Sequence, residues 1–200
     1  MGRKEQTFNR CGKEEIMRKI ILVLTVVGLF SLAIVDVVSA ASTADVVISV
    51  TCRKLSVGVS VGTSAFGTVN EGSETVASSA NGVNNDGNVT EDFELKLTAV
   101  AGWTALQAGT PGTDEYILGA IFKFAAPTTA DYDDSEDMLS TGYVEATTAI
   151  FAKDGDVVGE KGYSVAASGN RNLWFYFFAP SATTVGTQQL ITVTCRATAS

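Results

Sequence analysis

The chain has 200 residues, 46% of them hydrophobic, with 14 Lys+Arg against 22 Asp+Glu and no histidine. The formal net charge of −8 opposes binding to nucleic acid or to an anionic membrane, where the electrostatic term has the wrong sign. Without histidine there is neither a Ser-His-Asp triad nor an imidazole zinc site, and the charge hardly changes between about pH 6 and 8.

Residues 1–16 are polar and read as an extension, either an over-assigned start or a long n-region, because Met17 makes a more usual beginning. Met17-Arg18-Lys19 supplies a basic start, and Ile20 to Val35 is almost wholly apolar. That run is shorter than the roughly 20 residues a membrane span needs, and it ends at Asp36. Val38-Ser39-Ala40 then offers small residues at the spacing a signal peptidase accepts. The pattern predicts a secretory signal over residues 17–40, cleaved after Ala40, with a retained anchor as the alternative. No cysteine stands at the cleavage point to take a lipid. Removing six basic and four acidic residues with 1–40 moves the net charge from −8 to −10. The expected product, residues 41–200, is one domain, secreted or on the cell surface by bacterial-type export, without stable membrane insertion.

Cys11 precedes the signal, which leaves Cys52 and Cys195 in matching contexts, Val50-Thr51-Cys52-Arg53 and Val193-Thr194-Cys195-Arg196. Alternation places Cys52 with Ile48 and Val50, and Cys195 with Ile191 and Val193, on inward faces. A disulfide between them would staple first strand to last, worth on the order of 5 kcal/mol by loop entropy, and export gives access to oxidation. Two buried free thiols, or bridges between subunits, are the alternatives.

Strands are predicted at Asp45–Cys52 and Lys54–Ser60, then in a hairpin of Ser73–Ala80 and Val89–Val100. The hairpin turns at Asn84-Asn85-Asp86-Gly87-Asn88, residues suited to positive φ. In its second strand Phe93, Leu95, Leu97 and Ala99 face one way and Asp92, Glu94, Lys96 and Thr98 the other, a period of two with one wet face. Gln107–Asp114 is a loop. Glu115–Phe124 is apolar on both faces and reads as a central strand. After a polar loop from Pro127 to Thr141 come short strands at Thr147–Lys153 and Tyr163–Ala167, the aromatic strand Arg171–Phe178, and a closing strand at Gln188–Arg196. Eight to ten short strands with frequent turn signals, and no helical period after residue 40, predict an all-β, two-sheet β-sandwich behind a signal helix.

Phe66-Gly67-Thr68-Val69, Glu71-Gly72-Ser73 and Asn85-Asp86-Gly87-Asn88 together resemble the FGxVxxG…NxGN signature of bacterial immunoglobulin-like modules of the HYDIN/abnormal-spindle type. Arg171-Asn172-Leu173-Trp174-Phe175 and the Thr-rich last strand are also similar to those of secreted bacterial surface proteins. The resemblance covers about 35 residues. It implies an immunoglobulin-like sandwich that is structural or binding, with no catalytic residues to transfer. Cys52 and Cys195, where such strands usually carry Val or Thr, and the acidic loop depart from it.

Two clusters suggest ligands. Asp131, Asp133, Asp134, Glu136 and Asp137 form an acidic loop whose carboxylates suit calcium, a hard oxygen-seeking cation and the one cofactor the sequence suggests; none is otherwise required. The loop lacks the glycine and distal glutamate of an EF-hand, and a solvated, self-repelling loop is the plainer reading. Asp154-Gly155-Asp156 with Glu160 is a lesser calcium candidate and first of all a tight turn. Trp174 and Tyr176 share one face of their strand, opposite Leu173, Phe175 and Phe177. That face is a ligand-binding platform for sugars if exposed, and simple packing if a loop covers it. Trp103, after Gly102, reads as a core anchor. There is no phosphate loop or dinucleotide fingerprint, and the paired carboxylates fall in one loop.

The expectation is therefore a non-enzymatic secreted or surface structural protein that associates with itself, or with other surface proteins, through edge strands. The alternative is an extracellular carbohydrate- or ligand-binding module assisted by calcium.

Overall fold

The computed structural model describes residues 47–152 and 160–200. The predicted signal peptide, its cleavage site and the Asp154-Gly155-Asp156 turn lie outside them. The chain divides into two compact units, Met1–Val50 and Thr51–Ser200. Of the first, Val47–Val50 is described: it carries no secondary structure, and Val47, Ile48 and Val50 are 80–90% exposed. Thr51 and Cys52 are likewise exposed and outside any strand. The strand predicted over Asp45–Cys52 is therefore not formed in its described part.

The second unit is all-β, with one 3-10 turn at Thr129–Asp131 and no α-helix among the described residues. Its strands are β1 (Val57–Val59), β2 (Glu74–Val76), β3 (Asn81–Asn85), β4 (Glu91–Thr98), β5 (Thr104–Leu106), β6 (Glu115–Phe122), β7 (Val144–Glu145), β8 (Asn170–Phe178) and β9 (Thr192–Ala199). The larger sheet runs β1-β3-β8-β6-β5, with β2 pairing the remaining length of β8; the smaller runs β7-β4-β9. The two form a sandwich, as the turn spacing predicts.

The core lies between the sheets. Phe93, Leu95 and Leu97 of β4 point into it at 0–1% exposure, the alternation read from the sequence. Opposite them stand Tyr116, Leu118, Ala120 and Phe122 of β6 and Leu173 and Phe177 of β8. At one end the aromatic rings gather. Phe66 packs on Phe177 with centroids 5.4 Å apart, and Trp103 lies 5.8 Å from Tyr116 and 6.1 Å from Phe177, as befits a core anchor. β6 is buried on both faces, as its unbroken apolar run predicts.

The predicted hairpin is not one. β3 joins the larger sheet through β1 and β8, while β4 joins the smaller and pairs with β9 over eight residues, Glu91↔Ala199 to Thr98↔Thr192. Asn84–Asn88 therefore carries the chain from one sheet to the other. Its corner is locked by side chains. Asn85 Nδ2 donates to the carbonyls of Val89 and Val165 at 2.8 Å each, and its Oδ1 accepts from Gly87 N. Asn88 donates to the Cys52 carbonyl and accepts from Lys54 N. A period of two reports which way side chains face; it does not report which strand lies alongside.

The expected strands at Thr147–Lys153 and Tyr163–Ala167 reduce to single bridges, Phe122↔Ala152 and Glu91↔Val165. These bridges nevertheless organise the molecule. Along β6, after β5, the edge is taken by Asp137–Leu139 (Ala120 N donates to Asp137 O, Leu139 N to Leu118 O) and then by Phe151, which accepts from Phe122 N. Along β4 the outer edge is taken by Ser140, β7 with Ala146, Gly162 and Val165. One irregular segment thus sews β6 of the larger sheet to β4 of the smaller. Leu139, Ala146, Phe151 and Val165, each at 0% exposure, fill that seam. At Gly162 a side chain would collide with the Phe122 ring, so only glycine lets the backbone pass.

Candidate functional site

Three places carry the residues singled out from the sequence: the acidic loop, the aromatic strand and the cysteines. The acidic loop is built from its own backbone inward. Thr128 caps the short turn, with Asp131 accepting from Thr128 N at 2.7 Å and Thr128 Oγ1 at 3.0 Å, while Lys123 Nζ lies 3.0 Å away on the other oxygen. The Thr128 amide, with Lys123 beside it, holds the Asp131 carboxyl at about 2, below the usual carboxylate range. Asp133 Oδ1 accepts from Ser135 N and Oγ, and Asp137, only 2% exposed, accepts from Asp133 N at 2.9 Å. Asp134 Oδ2 receives a long bond of 3.4 Å from Gly109 N. Each carboxylate with a partner named here answers an amide, hydroxyl or ammonium, and the described residues contain no group of three acidic or thiol ligands arranged to share one ion. Glu160, the described member of the second candidate, accepts from Phe124 N at 3.2 Å.

Those bonds shape the loop into a cover for the aromatic strand. Trp174 is 8% exposed and Tyr176 6%, so the face they share is not a platform. Tyr132 stacks on Tyr176 with centroids 5.1 Å apart, and Met138 and Ile117 complete a small second core on this outer side of the larger sheet. Trp174 Nε1 donates to the Lys123 carbonyl at 2.9 Å. Gly119 makes the cover possible, because the positions a side chain would take lie 3.1–3.3 Å from Tyr132, Met138 and Tyr176. Burial raises both tyrosine hydroxyls above their ordinary range, reinforced at Tyr132 by Asp137 and Asp131 and at Tyr176 by Glu74 and Asp134. The acidic loop and the aromatic pair, separate candidates in the sequence, are one packed unit.

The cysteines are apart. Both are free thiols, Cys52 exposed and Cys195 half-buried. Cys195 pairs with Leu95 in the middle of β4, whereas Cys52 is held by Asn88, beyond the Glu91↔Ala199 end of that ladder. The four residues from Cys195 to Ala199 alone span about 13 Å of strand, against the roughly 6 Å a disulfide allows. The expected staple is absent for that reason. Burial pushes the Cys195 thiol up to about 12, which suppresses its thiolate at neutral pH.

Sequence reasoning passed over Glu91 and Asp92. Alternation places Asp92 on the wet face, yet it is 8% exposed and accepts from Ser164 N at 2.6 Å and Ser200 Oγ at 2.5 Å. Glu91 is at 0%, with Oε1 accepting from Ser56 N at 2.7 Å. They anchor β1 and the C-terminus to the start of β4. Only their position beside the Asn/Asp/Gly turn hinted at it.

The remaining feature is an edge. β9 pairs with β4 on one side and ends its sheet on the other. Its inward Val193, Cys195 and Ala197 are only half-buried, although their partners Leu97, Leu95 and Phe93 are at 0–1%. Across from it β1 ends the larger sheet, and no backbone bond joins the two strands among the described residues. The sandwich is sewn by backbone bonds along β6 and β4, whereas β1 approaches β9 without pairing with it, which leaves the outer backbone edge of β9 unpaired.

No protein-family model, no curated protein and no solved structure matches this chain.

Proposed function

We propose that the chain is an exported, non-enzymatic structural protein, an immunoglobulin-like module that associates with copies of itself through its open sheet edge. The observation that carries this reading is β9, eight residues long with one side unpaired. An unpaired strand presents a row of amides and carbonyls to any incoming strand, and proteins that avoid association blunt such edges with prolines, bulges or repeated charges. β9 has no proline, runs in unbroken register with β4 and carries one charge, Arg196, which pairs with Glu94 and covers the Tyr143 ring at 3.9 Å. The basic-apolar-small pattern of residues 17–40 supports export. The ligand-binding alternative draws no support from Trp174 and Tyr176, which are covered.

Light scattering on the secreted protein across a wide concentration range, with and without calcium, tests the proposal. Oligomers that grow with concentration are expected. A strict monomer throughout overturns it.

A further inference from the structure

Resting on the reading of a self-associating module, we infer that the segment Asp45–Val50 of a second copy docks as an added strand along the unpaired backbone edge of β9.

The acceptor is incomplete in a specific way. A strand beside β9 would pair its free edge and shield Val193, Cys195 and Ala197, which now have a buried partner on one side only. Exposed large apolar side chains lie on or next to these two strands. Leu55, Val59 and Val61 lie on or beside β1, and Leu190 just precedes β9, each 41–79% exposed. Apart from Phe124, the remaining large apolar residues exposed among those described are Val47, Ile48 and Val50, and they belong to the donor.

The donor has the pattern this edge requires. Asp45-Val46-Val47-Ile48-Ser49-Val50 alternates so that Val46, Ile48 and Val50 share a face. Six residues reach about 20 Å when extended, enough to run along most of β9. The segment leads into Val50-Thr51-Cys52-Arg53, the same four residues as Val193-Thr194-Cys195-Arg196, whose Val and Cys already pack against this core from β9. A neighbouring strand of like composition therefore brings side chains of a size and polarity the seam accepts. Residues 47–50 are exposed and lie outside any strand. Every module would present one donor and one acceptor, a head-to-tail contact that propagates into an open chain of copies rather than closing as a two-fold dimer.

The test compares protein expressed from the full sequence, and purified as the host releases it, with an Ile48→Asp/Val50→Asp variant. Both side chains are exposed, so the thermal midpoint of the sandwich should stay unchanged and report intact folding. The expected result is oligomeric wild type, at least tenfold weaker association of the variant, and β9 amides exchanging at least tenfold more slowly in assembled wild type than in the variant. A variant that assembles as wild type does, or β9 amides that exchange equally fast in both, overturns the inference and leaves the proposed self-association standing. A monomeric wild type overturns both, whether its β9 amides exchange fast or are protected by its own segment folding back.

Discussion

The two seams of the sandwich join the same two sheets by opposite means. Along β6 and β4 the edges are closed by an irregular segment that spends its backbone on single bridges and drops Leu139, Ala146, Phe151 and Val165 into the gap. Along β1 and β9 the two strands approach without a backbone bond between them, and the valine, cysteine and alanine of β9 stay half-buried. Regular secondary structure is therefore no guide to where this protein is finished. The seam filled by irregular chain is the one closed with backbone bonds, and the seam bordered by the regular eight-residue β9 has none between its strands.

The sharpest way to break that comparison is to empty one seam and then the other. Phe151→Ala should cost about 3–5 kcal/mol in urea unfolding, because it leaves a cavity in a fully buried site. Val193→Ala, on the seam of β1 and β9, should cost about 1 kcal/mol in the monomer, since its side chain keeps contact with water. Equal losses would mean that the two seams do not differ in packing. An effect between those two is expected at the crossing between sheets. Asn85→Ala strands the Val89 carbonyl and the Gly87 amide, leaves the Val165 carbonyl with the Glu91 amide alone, and should cost about 2–3 kcal/mol by the same measurement. Smallest is the pH response of the loop over the larger sheet. Asp131, held at about 2, contributes stability above its ordinary value of 3.8 and loses it as pH falls toward about 2. The gap in stability between wild type and Asp131→Asn, about 1 kcal/mol for a half-buried pair at the surface, should be full at pH 5 and close by pH 2. The gap for Val193→Ala should stay flat over that range.

Much of the sandwich is legible in the sequence because burial leaves a local imprint. Phe93, Leu95 and Leu97 declare their face through alternation, the run from Glu115 declares a strand covered on both sides, and Trp103 follows a strand-breaking glycine into the core. The candidate sites were less legible. Asp131 to Asp137 and the pair Trp174 and Tyr176 each look like a binding feature when read alone. Their actual relation, a loop lying over a face, depends on Gly119 permitting contact between segments more than forty residues apart. The paired Val-Thr-Cys-Arg contexts suggest a bridge, yet the register of β4 with β9 sets the two sulfurs at different heights.

What the sequence by itself determined is the all-β class, the inward face of β4, the two-sided burial of β6 and the loops at Gln107–Asp114, with Pro111, and from Pro127. The faces follow from the two-residue alternation of an extended backbone and the loops from proline's missing amide. The tertiary structure alone decided that Asn84–Asn88 crosses between sheets, that β4 takes β9 as its neighbour a hundred residues away, and that one seam is sewn by backbone bonds while the other is not. Strand pairing is a contest among distant segments with similar patterns, settled by which arrangement satisfies the most backbone groups and buries the most apolar surface at once. No single stretch of residues carries that comparison.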